Sequence, residues 1–220
     1  MNPYVAFALA MCGIVGLSLA GTAYLAAHFN RRAKADLATR LRPLAEAIEG
    51  TVDLEEATVA GRYRGQLAFG RVVSAQGGIG RLFHVELVDS AGGDGWEWSS
   101  LPRKDDPEPA RAFEGGSALE TRLVAAGIEW VKVSEVVPES AHQRFGVRYE
   151  PEAGMVRLLR AMRNRADIPE AEQFLRQLDL LVRVGGANRR AQVGVGMAAG
   201  ESAAPDPAAT VTADAATSQP

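Results

Sequence analysis

No charged side chain occurs among the first 30 residues of this 220-residue chain. An uncharged run of that length is rarely the core helix of a soluble protein. Cysteine is almost missing as well: Cys12 stands alone inside the same run. No intrachain disulfide can form, and cysteine usage does not define a redox compartment. Lysine is scarce, with 3 residues against 21 arginines, and alanine is abundant, a bias that points to a GC-rich bacterial coding background. The formal net charge of -3 removes any bulk polyelectrolyte argument for nucleic acid.

Chemical motifs are lacking too. There is no His-Glu-x-x-His, no P-loop and no Gly-x-Ser-x-Gly elbow. The histidines His28, His84 and His142 lie far apart, none with a second His or a Cys at ligand spacing. Gly194-Val195-Gly196 begins like a dinucleotide loop, but too few residues follow it for a βαβ unit. Glu55-Glu56 and Asp105-Asp106 read as solvated acids. No catalytic residue, metal or cofactor is therefore expected.

What is present starts with Pro3 to Phe29, an apolar run of 27 residues. As a helix it would extend ~40 Å at ~1.5 Å per residue. That exceeds a hydrocarbon core of ~30 Å, so the helix would tilt or place its ends in the headgroups. Tyr4, Phe7, Tyr24 and Phe29 lie toward the two ends, where aromatic rings favour the interface. A cleaved signal peptide would need a basic n-region and a shorter apolar core, and a lipoprotein site at Cys12 would need a residue smaller than Met11 before it. The reading is a retained signal-anchor over 1–30. Arg31, Arg32, Lys34, Arg40 and Arg42 follow the run while no basic side chain precedes it, which predicts a cytoplasmic C-terminal domain on an inner (plasma) membrane.

One 3-4 spacing runs through Gly13, Gly16, Ala20, Ala23, Ala27, Asn30, Lys34, Leu37, Leu41, Leu44 and Ile48. Small residues inside the bilayer and Leu or Ile outside it are what a coiled-coil-like helix pair would use in each solvent. A homodimer or a membrane-protein partner is one expectation. The alternative packs Leu37 to Ile48 on the chain's own domain, with Pro43 ending or kinking the juxtamembrane helix (31–50) near Arg42.

Residues 51–189 read as an α+β domain, an antiparallel sheet covered on one face by two helices. Gly61 to Ser74 and Arg81 to Asp89 are strands joined through a Gly-rich loop as a hairpin, and Phe83, Val85 and Leu87 share one face. Trp96 and Trp98 share the face of another strand. Pro102 to Pro109 is a charged loop. Ser117 to Glu120 has the spacing of a capping box and opens a helix that Gly127 ends. Ile128 to Val133 is predicted to be a strand. Phe145 to Glu150 and Met155 to Arg160 form a second hairpin around Pro151 to Gly154. A last amphipathic helix follows Pro169 and closes at Gly185-Gly186, and 190–220 reads as a disordered Ala/Thr/Pro-rich tail.

Charge is segregated within the domain. Glu86 to Glu139 holds 12 acids and 5 bases, whereas Ala141 to Arg190 holds 10 bases, all arginine, and 6 acids. Pairing between the two halves is the plain explanation. A surface containing Trp96, Trp98, Arg157, Arg160, Arg163 and Arg165 is the candidate interaction site. The expected role is a non-enzymatic interaction or assembly module held at a bilayer. Two alternatives are a tethered enzyme whose site is assembled from distant residues, and an envelope component with its domain outside.

Overall fold

The computed structural model describes residues 3–74, 80–100, 112–136 and 145–201. Helix α1, Pro3–Ala47, is continuous. Its first part projects from the protein with side chains exposed, and among the described residues it is the helix long and apolar enough to cross a membrane. Its last turns are different. Leu41, Leu44, Ala45 and Ile48 are buried in the hydrophobic core. Pro43 does not end the helix near Arg42; its ring sits on the exposed side, where the missing backbone donor and the ring disturb no packed contact. The juxtamembrane segment is thus no separate helix.

The chain then enters an eight-stranded antiparallel sheet. Its strands are β1 (Thr51–Asp53), β2 (Thr58–Tyr63), β3 (Gln66–Ser74), β4 (Arg81–Val88), β5 (Trp96–Ser99), β6 (Phe113–Glu114), β7 (Phe145–Glu150) and β8 (Met155–Met162). Their order across the sheet is β1-β2-β3-β4-β8-β7-β5-β6. The joint with α1 is close: Arg62 N donates to Ile48 O at 2.9 Å. A Cβ on Gly50 would meet Ala60 O at 2.2 Å, and one on Gly61 would meet Ile48 O at 2.4 Å. Only glycine at both positions lets the two backbones approach this way.

Both expected hairpins are present, β3 with β4 and β7 with β8, in antiparallel register from Ala68↔Leu87 to Ser74↔Arg81 and from Phe145↔Arg160 to Glu150↔Met155. The segment from Gly61 to Ser74 is two strands, not one, because the chain reverses at Arg64-Gly65, both with positive φ. The charged loop 102–109, and 75–79 of the β3–β4 connection, lie outside the described residues.

One sheet face is covered by helices: the end of α1, α2 (Ser117–Ala125), α3 (Trp130–Glu135) and α4 (Ala171–Glu201). Four helices thus take the place of the two expected. Phe83, Val85 and Leu87 point into this core as expected, and Phe174, Leu178 and Leu181 of α4 meet them. Three local expectations are corrected. Ile128 to Val133 is not a strand: Trp130 onward is helix α3, Val133 N donates to the O of its N-cap residue Glu129, and Trp130 lies flat on Trp98. The N-cap of α2 is Gly116 with no side-chain cap, and Ser117 is already helical, so the capping-box spacing is not used. Gly185-Gly186 does not close α4, which continues to Glu201 and takes in the first residues assigned to the tail; residues 202–220 are outside the described set. Tertiary contacts along this helix outweigh the propensity cost of two glycines.

Candidate functional site

The helix-free face of the sheet carries a line of charged side chains across its middle strands. Glu86 on β4 is 1% exposed. Its carboxylate lies 2.8 Å from Arg157 Nε of β8, 3.2 Å from Arg71 Nη2 of β3 and 3.5 Å from His84 Nδ1. The pairing continues outward. Arg157 reaches Glu150 at 2.8 Å, Glu150 reaches Arg148 at 3.2 Å, and Arg148 reaches Glu97 of β5 at 2.6 Å. The result is an alternating ladder across five neighbouring strands, β3, β4, β8, β7 and β5.

Strand register builds it, since Glu86 stands opposite Arg157, Arg157 opposite Arg148, and Arg148 opposite Glu97. Burial pushes the Glu86 carboxyl up, but the His84 hydrogen bond and the charges of Arg157, Arg71 and His84 outweigh it, leaving its pKa lowered. Burial also works against the Arg148 cation, and the bonds and charges of Glu97 and Glu150 raise its pKa regardless. Chemically, this is a set of mutually fixed counter-ions. A carboxylate held ionised between arginines is a weak proton acceptor at neutral pH.

The ladder accounts for much of the charge segregation, because Arg148–Glu97 and Arg157–Glu86 join the acid-rich and arginine-rich halves. The four candidate arginines do not share one surface. Arg157 belongs to the ladder. Arg160, 8% exposed, points to the opposite, helix-covered face, with Nε and Nη1 lacking a hydrogen-bond partner among the described residues. Desolvation lowers its pKa despite the charge of Asp167. Arg163 and Arg165 lie in the turn after β8, where Arg165 Nη1 donates to Ala33 O at 3.0 Å and pairs with Asp36 at 3.3 Å on α1.

Trp96 and Trp98 form no exposed platform. Both are buried in an aromatic cluster with Phe113, Trp130 and Phe145; the Trp98 and Trp130 rings stack at 5.3 Å. Of the helix-pairing seam, Leu41, Leu44 and Ile48 are consumed by the chain's own core and Leu37 packs against it. The outer half of the seam is therefore not free to pair. Gly13, Gly16, Ala20, Ala23 and Ala27 remain exposed, and a Cβ on either glycine would meet nothing within 4 Å.

A second polar arrangement, which no sequence motif marks, lies between α4 and the segment leading into β5. α4 presents Gly185, Asn188, Arg189 and Gln192 on one stripe toward residues 89–96. Trp96 Nε1 donates to Asn188 Oδ1 at 2.9 Å, Gln192 Nε2 donates to Asp94 O at 2.9 Å, and Asp94 N donates back to Gln192 Oε1 at 3.3 Å. Arg189 pairs with the buried Asp89. The signal was a polar 3-4 spacing inside a helix that otherwise buries leucines.

At the end of the sheet beside α1, a polar cleft of about 760 Å³ lies among Asp36, Arg40, Arg81, Arg163, Asn164 and Arg165. A neighbouring cleft of about 420 Å³ extends along α1 to Asn30. Among the described residues, no group of three His, Cys, Asp or Glu is placed to hold a metal ion. Comparison with protein-family models, with curated proteins and with solved structures finds no match.

Proposed function

We propose that this chain is a single-pass membrane-anchored, non-enzymatic interaction or assembly module whose domain is held at the cytoplasmic surface of the inner membrane. One observation carries the reading: the helix whose first 28 residues carry no charge runs on to Leu41 and Leu44 inside the domain core, with Ile48 just past its end. Anchor and domain are then joined by one continuous helix, without a linker. Confinement to a plane raises the effective concentration of the domain toward other membrane proteins without any new contact. Gly13, Gly16, Ala20, Ala23 and Ala27 are the surface by which a second copy or another membrane helix would approach closely.

The reading is tested in intact cells and washed membranes. The chain should stay with membranes through alkaline carbonate and be cut by external protease only after the cells are opened. Release by carbonate would reject the anchor, and cleavage in intact cells would reject the cytoplasmic placement. For pairing, cysteine at Ala20 in a Cys12→Ser background should give an oxidative dimer in membranes. A monomer alone would reject a seam at this face.

A further inference from the structure

We infer that the cleft between α1, the start of β4 and the turn after β8 binds the phosphate of an anionic phospholipid from the leaflet next to the domain. The inference rests on the anchor reading and adds a ligand to it. Arg40 of α1, Arg81 of β4, and Arg163 and Arg165 of the turn line the cleft against a single acid, Asp36. Asp36 is already engaged by Arg165, whereas among the described residues Arg40, Arg81 and Arg163 form no ion pair. Three exposed guanidinium groups therefore converge on one cavity without a carboxylate to answer them. Guanidinium forks match phosphate oxygens in geometry as well as in charge.

The position of the cleft selects the source of the phosphate. Arg165 is bonded to the carbonyl of Ala33, three residues beyond Asn30, where the uncharged run ends. Three residues along a helix amount to ~4.5 Å. The headgroup layer on one side of a bilayer is about 5–7 Å thick. A helix continuous from the run into the domain thus sets the turn after β8 at headgroup depth, and Arg40, about two turns or ~10 Å beyond Ala33, closes the cleft on the side away from the bilayer. No segment of chain intervenes that would let the domain swing the cleft away.

The full-length chain in mild detergent with mixed phosphatidylglycerol and phosphatidylcholine is examined by native mass spectrometry. Phosphatidylglycerol should be retained preferentially. The triple variant Arg40→Gln/Arg81→Gln/Arg163→Gln should weaken that binding on the order of a hundredfold, at about fivefold per arginine near a headgroup surface. These three side chains are exposed, so the domain is expected to melt unchanged. A control with equal charge loss on exposed residues elsewhere, Arg62→Gln/Arg176→Gln/Arg183→Gln, should keep the preference; an equal loss there would overturn the cleft. Millimolar inorganic phosphate should leave the lipid bound, and displacement by it would make this a site for soluble phosphate and overturn the lipid assignment. Retention in carbonate-washed phosphatidylcholine vesicles reports on the anchor alone. Retention there with no phosphatidylglycerol preference overturns the cleft and leaves the anchor standing, whereas loss from those vesicles overturns both.

Discussion

Gly185 and Gly186 are neighbours in α4, yet alanine is expected to act with opposite signs at the two positions. A Cβ at Gly185 would lie 2.3 Å from Asp89 Oδ2 and 3.1 Å from its Cγ. Asp89 is 2% exposed and paired with Arg189, so its short side chain cannot turn aside without losing that cation. Relief requires the end of β4 or the helix itself to shift, an overpacking cost of about 1–3 kcal/mol. Alanine in place of a helical glycine returns about 0.5–1 kcal/mol, which leaves Gly185→Ala about 1–2 kcal/mol less stable than the parent. At Gly186 the nearest atoms are Arg190 Nη1 at 3.6 Å and Arg189 Nη2 at 3.8 Å, ordinary contacts with the far ends of flexible side chains. Only the propensity gain remains there, about 0.5–1 kcal/mol of added stability. The propensity gain is common to both, so the two variants should differ by the overpacking cost, about 1–3 kcal/mol, or about 2–12 °C in melting midpoint for a chain of this size. Circular dichroism melts of the full-length proteins in one detergent provide the comparison. A Gly185→Ala protein melting at or above the parent would refute the packing argument, and equal shifts for both would reduce the pair to propensity.

Glu86→Gln should cost about 1–3 kcal/mol at neutral pH, since it removes the buried carboxylate that Arg157 and Arg71 share and leaves Arg157 only Glu150. The folded pKa of Glu86 is lowered, so its contribution is complete above the unfolded carboxyl pKa and fades as pH falls through the folded value. The stability gap to the parent should therefore close on acidification; a gap constant with pH would count against the ladder. Leu44→Ala should cost about 2–5 kcal/mol in domain stability. Leu17→Ala, at a position 78% exposed, should leave the domain melt unchanged, and similar losses for both would contradict the division of α1. Arg160→Met should be neutral or stabilising by about 1–4 kcal/mol, because a poorly bonded buried cation is exchanged for an apolar side chain of similar length. A clear loss of stability would show that the guanidinium is better satisfied than its contacts indicate.

The parts of this fold legible in the sequence are those whose cause is local. Alternation marked Phe83, Val85 and Leu87, and the Pro151 to Gly154 turn set the β7–β8 register, because both signals are complete within a few residues. Ile128 to Val133 misled for the same reason: its β-branched residues suit a strand, but Trp98, distant in the chain, offers Trp130 a ring to stack on. The glycines of α4 resemble a helix stop, but Gly185 serves to admit Asp89, the residue after β4. The ladder was hidden more deeply. Glu97 and Arg148 are 51 residues apart, and nothing near either of them announces the other. The composition imbalance told only that such pairs should exist. The leucines after the uncharged run were periodic whether they faced a second copy or their own sheet, and only the fold distinguishes these.

The sheet begins and ends in very short strands, three residues in β1 and two in β6. An unpaired strand edge is a template on which another chain can grow, and many copies crowded into one plane would meet edge to edge often. Stubs of this length offer a neighbour too few free amides and carbonyls to hold it. A domain anchored as proposed would therefore resist zipping edge to edge into fibres, and its assembly would rest on side chains or on the proposed span.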